Sequence, residues 1–249
     1  MLTSRNPMGL LLRNLKQRAI LCEEDQQAVL DLPVVIKALS ANDYVIREGE
    51  DVDCCEVLVS GFAFRQLLTG DGQRQILAIH IPGDALDFQN LFLDVADHSV
   101  QMLTAGPVAF VPRAAIQRLF HKRSRFAQAV FINVLVDAAI FREWVLNLGR
   151  RDARSRMAHI ICEFMLRCEM MQFNDPDNRD LPMTQEQLAD ATGLSAVHAN
   201  RVLRDLASEN LIQPHRGHIS IPDWRKLRAI ADFNERYLHL SQQTLSNDI

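Results

Sequence analysis

The spacing of apolar residues changes twice along the chain. The first 31 residues have the mixed apolar and charged pattern of amphipathic helices. From residue 34 to 111, short apolar runs are separated by turn residues such as those at 69–72, which favours an antiparallel sandwich or barrel. After Pro112 the pattern is helical again. The chain is therefore predicted to have a β-rich first half and a helical second half.

The helical region after Pro112 has apolar residues on two stripes. The first stripe, interrupted by one carboxylate, contains Val130, Val134, Asp137, Phe141, Trp144 and Leu148. The second contains Phe131, Leu135, Ala138 and Val145. A helix that is apolar on two faces must be covered twice. We expect one stripe to pack on the β-domain and the other on a second subunit, with the first set as dimerisation residues. The alternative is a helix fully buried within one subunit.

Residues 184–206 read as two helices joined by a tight turn. Thr184 is a good N-cap, and Gln187 three residues later completes a capping box. Gly193 stands at the corner, where the chain needs φ > 0, and Ser195 caps the second helix. This spacing indicates a helix-turn-helix that enters the DNA major groove. An ordinary helical hairpin with a glycine cap is the alternative.

The outer face of the second helix and the segment after it supply the predicted DNA contacts. Residues 210–221 read as two short strands around a turn, and therefore as a β-wing. The wing has His215, Arg216 and His218, which are donors suited to phosphate oxygens. The predicted DNA-binding residues are Thr184, Ser195, Ala196, Val197, His198, Asn200, Arg201, Arg204, Arg216 and His218.

Composition limits the class of protein further. The 249 residues fit two domains, and the formal net charge of −4 means that DNA must be attracted by local basic patches. No apolar run has the length of a membrane span, and Arg13 interrupts the only N-terminal leucine run, so we expect a cytoplasmic protein. We find no phosphate loop or nucleophile motif, which argues against an enzyme.

The five cysteines have no zinc-ligand spacing, and their odd number in a cytosolic chain indicates reduced thiols. Cys54 and Cys55 are adjacent in a predicted strand, so one is expected to be buried and the other exposed. A redox pair or a shared metal site is the alternative there. No cofactor is predicted.

The order of these parts resembles the cyclic-AMP receptor/FNR superfamily of bacterial transcription regulators. The resemblance covers nearly the whole chain and rests on residues 43–49, 59–61, 71–77, 81–84, 149–156 and the helix-turn-helix with its wing. It implies an α+β fold with an N-terminal β-roll (a cyclic-nucleotide-binding-like jelly roll), a long dimerisation helix and a C-terminal winged helix. The expected bounds are 1–112 for the N-terminal helix and β-roll, 113–149 for the helical linker and 150–249 for the winged helix.

The chain departs from the superfamily where a cyclic nucleotide would bind. Members that bind one have Gly and Glu after a Pro-Gly-Asp/Glu turn, then an Arg-Ser/Thr pair whose Arg neutralises the phosphate. Here residues 82–84 keep the turn, but Asp97 lies near the position of the Arg and would repel a phosphate. We therefore expect no control by cyclic AMP. His98 could still supply positive charge, and another anion stays open. The candidate effector pocket contains Asp84, Asp87, Asp97, His98 and Ser99.

The cysteines and histidines of the chain bear on two other effectors of the superfamily, an iron–sulfur cluster and haem. Its oxygen-sensing branch holds an iron–sulfur cluster on closely spaced N-terminal cysteines, but only Cys22 lies in that region here. His80 and His98 leave haem as an alternative, although a lone His is more often a structural residue. A regulator without a ligand, or with an unknown one, is the remaining interpretation.

The function predicted from these features is sequence-specific regulation of transcription, by a homodimer that binds palindromic operators. The alternative is an effector-gated sensor whose β-roll binds another ligand: a nucleotide, haem or other molecule. The expected partners are double-stranded DNA, a second copy of the chain and RNA polymerase, with no membrane. Arg201 matches the superfamily's base-contacting Arg and is predicted to contact guanine O6 and N7. Val197 is predicted to pack on a thymine methyl, with half-sites about 34–36 Å apart.

Overall fold

The computed structural model describes residues 6–171, 181–215 and 218–240 of the chain. These residues form two compact units. Of the described residues, the first unit contains 6–65, 80–139 and 238–240, and the second contains 66–79 and those between 140 and 237. One hairpin and one long helix therefore contribute residues to both units.

The N-terminal part has two short helices followed by seven strands. The helices are α1 (Gly9–Lys16) and α2 (Glu23–Leu30), in the region where an amphipathic pattern predicted helices. The strands are β1 (Val35–Leu39), β2 (Tyr44–Ile46), β3 (Cys54–Leu58), β4 (Ala63–Leu68), β5 (Arg74–His80), β6 (Ser99–Met102) and β7 (Gly106–Pro112). A short 3-10 helix, Phe88–Leu91, lies between β5 and β6.

The seven strands form two sheets that share a core. The first sheet has the order β1-β7-β3, and β7 is antiparallel to both neighbours. The second has the order β2-β6-β4-β5. Ile46 and Val100 of the second sheet bury together with Leu58 and Val108 of the first. The expected hairpin turn is present between β4 and β5, where Thr69 N donates to the carbonyl of Gln73 at 2.9 Å. The antiparallel β-rich domain predicted from the pattern is therefore confirmed.

Helices cover the opposite face of the first sheet. After β7 come α3 (Arg113–Lys122) and the long helix α4 (Ser124–Arg150). Side chains from these helices bury in one cluster with those of α1 and of strands β3 and β7, namely Leu11, Leu15, Val57, Val111, Ile116 and Val130. Val57 and Leu58 are successive strand residues in different clusters, as the alternation of side chains across a sheet requires.

The C-terminal part contains helices and a two-stranded ribbon. Its elements are α5 (Ala153–Met170), α6 (Gln185–Thr192), α7 (Ala196–Ser208), β8 (Gln213–His215), β9 (His218–Ser220), α8 (Trp224–Ile230) and a 3-10 helix (Glu235–Leu238). The end of α4 is joined to α5 by a buried carboxylate, Glu163, which accepts bonds from Trp144 Nε1 at 3.2 Å and from the Tyr237 hydroxyl at 2.8 Å. The predicted α+β class, with a β-rich domain, a long helix and a helix-turn-helix, is confirmed.

Gly106, the first residue of β7, packs directly against the backbone of Ser60. A Cβ atom added to Gly106 would lie 2.1 Å from the carbonyl oxygen of Ser60, which is backbone and cannot rotate away. We expect Gly106→Ala to lower the free energy of unfolding by about 3 kcal/mol, the upper end of the usual cost of overpacking. Gly70→Ala is the matched control, since no atom lies within 4 Å of its added Cβ. Equal denaturation midpoints for the two variants would contradict this packing.

Candidate nucleic-acid interface

Helix α6 begins with the capping box that the sequence predicted. The Thr184 hydroxyl accepts from the Gln187 backbone N–H at 3.2 Å, and the Gln187 side chain accepts from the Thr184 N–H at 2.8 Å. Two donors that the first helical turn leaves unpaired are satisfied in this way. Thr184 itself is exposed, so its first role is to fix where α6 starts.

The turn between α6 and α7 also follows the prediction. Gly193 has φ 64° and ψ 36°, the left-handed conformation in which a Cβ is strained. Leu194 N then donates back to the carbonyl of Ala189 at 3.0 Å. Ser195 caps α7, with its hydroxyl accepting from His198 N at 3.3 Å. The two helices are therefore joined at a fixed angle by local interactions.

One face of α7 is buried and the other is open. Ala199, Val202 and Leu206 are buried, and Leu203 is half-buried. The open face presents Ser195, Ala196, Val197, Arg201 and Arg204, with Val197 82% exposed. His198 is half-buried. Asn200 is also half-buried, and its amide N–H donates to the Gln185 side chain at 2.6 Å, which joins α6 to α7.

Two exposed arginines on α7 differ from the other arginines nearby. Arg201 and Arg204 have no hydrogen-bond or ion-pair partner among the described residues. In contrast, Arg154 forms a two-bond pair with Glu209, both at 2.6 Å, and Arg156 donates to the carbonyl of Thr192 at 2.6 Å. These paired arginines anchor α5 to α6 and α7. The open face of α7 therefore keeps two guanidinium groups available for an anionic partner.

The wing was predicted as a pair of strands, and its backbone has that form. Strands β8 and β9 are antiparallel, with His215 opposite His218. Arg216 lies outside the described residues. For His215 and His218 the structure describes the backbone but not the side chain. Their proposed phosphate contacts therefore stay predictions.

The expected roles of the two stripes on α4 are revised by the structure. Val130 and Trp144 are buried by their own chain, Val134 and Leu148 are half-buried, and Asp137 is paired with Arg65. Of the predicted dimerisation set, only Phe141 is exposed. The exposed large apolar side chains of α4 are Phe131, Leu135, Phe141, Val145 and Leu146. Three of them, Phe131, Leu135 and Val145, belong to the second stripe. The exposed apolar face of α4 is therefore mainly the stripe that sequence reasoning placed against the β-domain.

The five residues of the candidate effector pocket are not equivalent. Asp84 is buried and accepts from Ile81 N and from the Asn14 side chain, both at 3.0 Å. Asp87 and His98 are buried together, with His98 Nε2 3.6 Å from Asp87 Oδ2. Asp97 is largely exposed but lies 2.6 Å from His98 Nδ1. Ser99 accepts from Glu48 N at 3.0 Å, so it serves a backbone turn.

Burial decides the charge of this cluster. Desolvation, together with the charge of the nearby Arg65, lowers the pKa of His98 to about 4. Burial also lowers the pKa of His80. Both rings are therefore neutral at neutral pH, and His98 does not supply the positive charge that the sequence left open. Burial raises the pKa of Asp87 to about 7. Sequence reasoning missed Arg65, the buried cation beside them, whose only signal was a charged residue in an apolar strand.

The cysteines are free thiols, as expected for reduced residues. Cys55 is buried and Cys54 is half-buried, in agreement with alternation along β3. Burial raises the pKa of both thiols, which makes them poor nucleophiles. Within the described residues, no group of His, Cys, Asp and Glu side chains has the arrangement of a metal site. No helix among the same residues is long and apolar enough to span a membrane.

Two domain models match the chain. The Crp-like helix-turn-helix domain matches residues 155–230, and the cyclic nucleotide-binding domain matches residues 36–123. The transcriptional activator protein FnrL of Cereibacter sphaeroides is 24% identical over 210 residues, 83% of this chain and 84% of that protein. The nitrogen fixation regulation protein FixK of Rhizobium meliloti is 25% identical over 199 residues, 79% of this chain and 87% of that protein.

A solved structure agrees with this assignment at the level of the fold. FixK2 from Bradyrhizobium japonicum matches with a TM-score of 0.73 and 20% identity, over 80% of this chain and 98% of that one. The fold and the open α7 face thus define a DNA-binding transcription regulator with a cyclic-nucleotide-binding-like N-terminal domain. The chain belongs to the Crp/Fnr family of transcription regulators. Members of this family are regulators rather than enzymes.

Arg201 and Arg204 give a matched pair of substitutions. We expect Arg201→Ala to cost about 1–3 kcal/mol on a selected operator and to relax specificity at one base pair, because a guanine contact is lost. Arg204→Ala should instead weaken binding to all DNA sequences alike, as the loss of a phosphate contact does. It should also reduce the slope of log affinity against log salt concentration by about 1. Affinities for the operator and its single-base variants, at several salt concentrations, would measure both. A uniform loss with Arg201→Ala would contradict base reading.

Asp87 predicts a pH dependence of stability. Because burial raises its pKa to about 7, the folded chain keeps a proton there that the unfolded chain releases near its ordinary value of 3.8. The free energy of unfolding therefore falls as pH rises through this window. The free energy of unfolding of Asp87→Asn, taken relative to that of the wild type, should therefore increase by about 2 kcal/mol from about pH 5 to pH 8. Denaturant titrations of both proteins at both pH values test this. A difference in unfolding free energy between variant and wild type that is the same at both pH values would contradict it.

Proposed function

We propose that the protein is a homodimeric transcription regulator that binds palindromic operators through α7 and is not controlled by cyclic AMP. The observation that carries this proposal is the open face of α7. It places Arg201 and Arg204, both exposed and without a described partner, beside the exposed apolar side chain of Val197. Guanidinium groups suit guanine edges and phosphates, and an apolar side chain suits a thymine methyl. RNA polymerase is a further expected partner.

The dimer is supported by the exposed stripe of α4. Phe131 is 60% exposed, and Leu135, Phe141 and Val145 extend the same apolar surface along the helix. Contiguous apolar surface of this kind marks an interface rather than a solvated face. Two copies paired along α4 would present two α7 helices related by a two-fold axis, and a palindromic operator has the same symmetry.

Control by cyclic AMP is disfavoured by the charge of the candidate pocket. A buried cyclic phosphate needs a cation, but His80 and His98 are neutral there and Asp87 offers no positive charge in either protonation state. The buried cation of this region, Arg65, already pairs with Asp137 at 2.8 Å. A phosphate would have to displace that carboxylate and remain next to Asp87.

Selection of bound sequences from a random DNA pool tests the proposal directly. With purified full-length protein and no added ligand, we expect strong enrichment of a palindromic motif, because two α7 helices read two equivalent half-sites. The half-site centres should lie about 34–36 Å apart, one turn of DNA. Enrichment of a single half-site would contradict the dimer. No enrichment with or without nucleotides, from a folded protein, would contradict DNA binding itself.

A substitution in α4 tests the dimer in the same assay. Leu135→Glu places a charge in the proposed interface, and we expect a monomer in light scattering together with loss of the palindrome. Leu68→Glu is the matched control, since it makes the same change at a similarly exposed leucine outside α4. A monomer produced equally by both variants would mean general destabilisation.

A further inference from the structure

A buried arginine links the β-domain to the long helix. Arg65, on β4, is only 8% exposed. Its Nη1 lies 2.8 Å from Asp137 Oδ2 on α4, and its Nη2 donates to the carbonyl oxygen of Leu86 at 2.9 Å. A charge removed from water is tolerated only when it is paired and hydrogen-bonded. Arg65 is therefore held at the same time by α4 and by the turn after β5.

A second polar link joins the same turn to the same helix. Asn14 of α1 is 3% exposed, and its amide N–H donates to Asp84 Oδ1 at 3.0 Å. Its carbonyl oxygen accepts from the Asn133 side chain on α4, also at 3.0 Å. Asp84 is itself fixed, because its other oxygen accepts from Ile81 N. The path from the turn to α4 is therefore continuous through Asn14.

The two links act on one face of α4. Asn133 and Asp137 are four residues apart, so they are neighbours on the same side of the helix. Their counterparts, Asp84 and Leu86, lie in one turn, within the region matched by the cyclic nucleotide-binding domain. We call Asn14, Arg65, Asn133 and Asp137 the α4 clasp. It joins sheet, turn and helix through side chains and backbone of the chain itself.

The surroundings of the clasp contain polar atoms that are not otherwise satisfied. His80 Nε2, His98 Nε2 and Asp87 Oδ1 are buried and have no hydrogen-bond partner among the described residues. Arg65 supplies positive charge to this group, since it favours the charged form of Asp87 and the neutral form of His98. The interior is therefore polar, as a ligand site would be, but its cation is already bonded to the chain itself.

We propose that the α4 clasp takes the place of a small-molecule effector, so that the protein binds its operator without a ligand. A bound effector can act only by stabilising one arrangement of turn and helix over others. The clasp does this with covalently attached groups. The clasp acts on α4, one continuous helix whose later residue Trp144 donates to Glu163 of α5. This inference rests on the proposed function and specifies how it is regulated.

The test compares three full-length variants with the wild type in the absence of nucleotide. Arg65→Met removes both bonds of the cation, and Asp137→Asn removes the charge on α4 while keeping its size. Arg113→Met is the matched control, because Arg113 likewise bonds backbone carbonyls and a carboxylate. Its partners are the carbonyls of Val52 and Leu93 and the carboxylate of Asp94, none of which lies on α4. Operator affinity and amide hydrogen exchange of residues 81–91 and 128–140 are measured for each.

We expect Arg65→Met and Asp137→Asn to bind the operator about tenfold more weakly, a usual size for coupling between sites. Exchange should be faster in both segments, whereas Arg113→Met should change neither quantity. If exchange becomes faster but the affinity per folded dimer does not change, the clasp is only structural and the proposal is wrong. Asp137→Asn decides the matter if Arg65→Met does not fold.

Added nucleotides provide the second arm. Cyclic AMP and cyclic GMP at millimolar concentration should leave the wild-type melting temperature and operator affinity unchanged. A rise in either would mean that the turn accepts a ligand, and the proposal would be wrong even though the protein is a regulator. Absence of operator binding under every condition would instead contradict the proposed function. The two failures are therefore distinguishable.

Discussion

The 27 residues of α4 have more apolar surface than one chain covers. Part of that surface is buried by the same chain, through Val130 in the β-domain cluster and Trp144 against α5. The remainder, centred on Phe131 and Leu135, is open. A helix with apolar residues on two sides needs two partners. The open stripe of α4 is therefore the surface on which the proposed dimer depends.

Polar groups decide which face of α4 meets the β-domain. Apolar side chains pack in many registers at similar energy, whereas a buried pair such as Arg65 and Asp137 is satisfied in one. The pair adds little net stability, since desolvation opposes its attraction. Its effect is to make displaced arrangements costly, because each would leave a buried charge without a partner. The same constraint sets the position of the turn that holds Leu86.

Local features of the chain could be predicted from the sequence, and non-local ones could not. The caps at Thr184 and Ser195 and the turn at Gly193 were correct because each depends on residues within a few positions. Strand β1 lies within the predicted β-region, but most of its residues are exposed, so the alternation that identifies an individual half-buried strand is absent there. The face of α4 that contacts the β-domain was misassigned because both stripes are apolar, and the polar contact of Asp137 that distinguishes them is with Arg65, 72 residues away in the chain.

In the DNA-binding part, the sequence does not show which arginines are paired within the chain and which are open to a partner. In the sequence, the basic segment at 150–156 looks as suited to phosphate as the arginines of α7. In the structure, Arg151, Arg154 and Arg156 are bonded within the chain, whereas Arg201 and Arg204 on the exposed face of α7 have no partner among the described residues. Since the net charge is −4, general attraction to DNA is weak. Discrimination between sites must then come from the few side chains that reach base edges, which gives the geometry of α7 its importance.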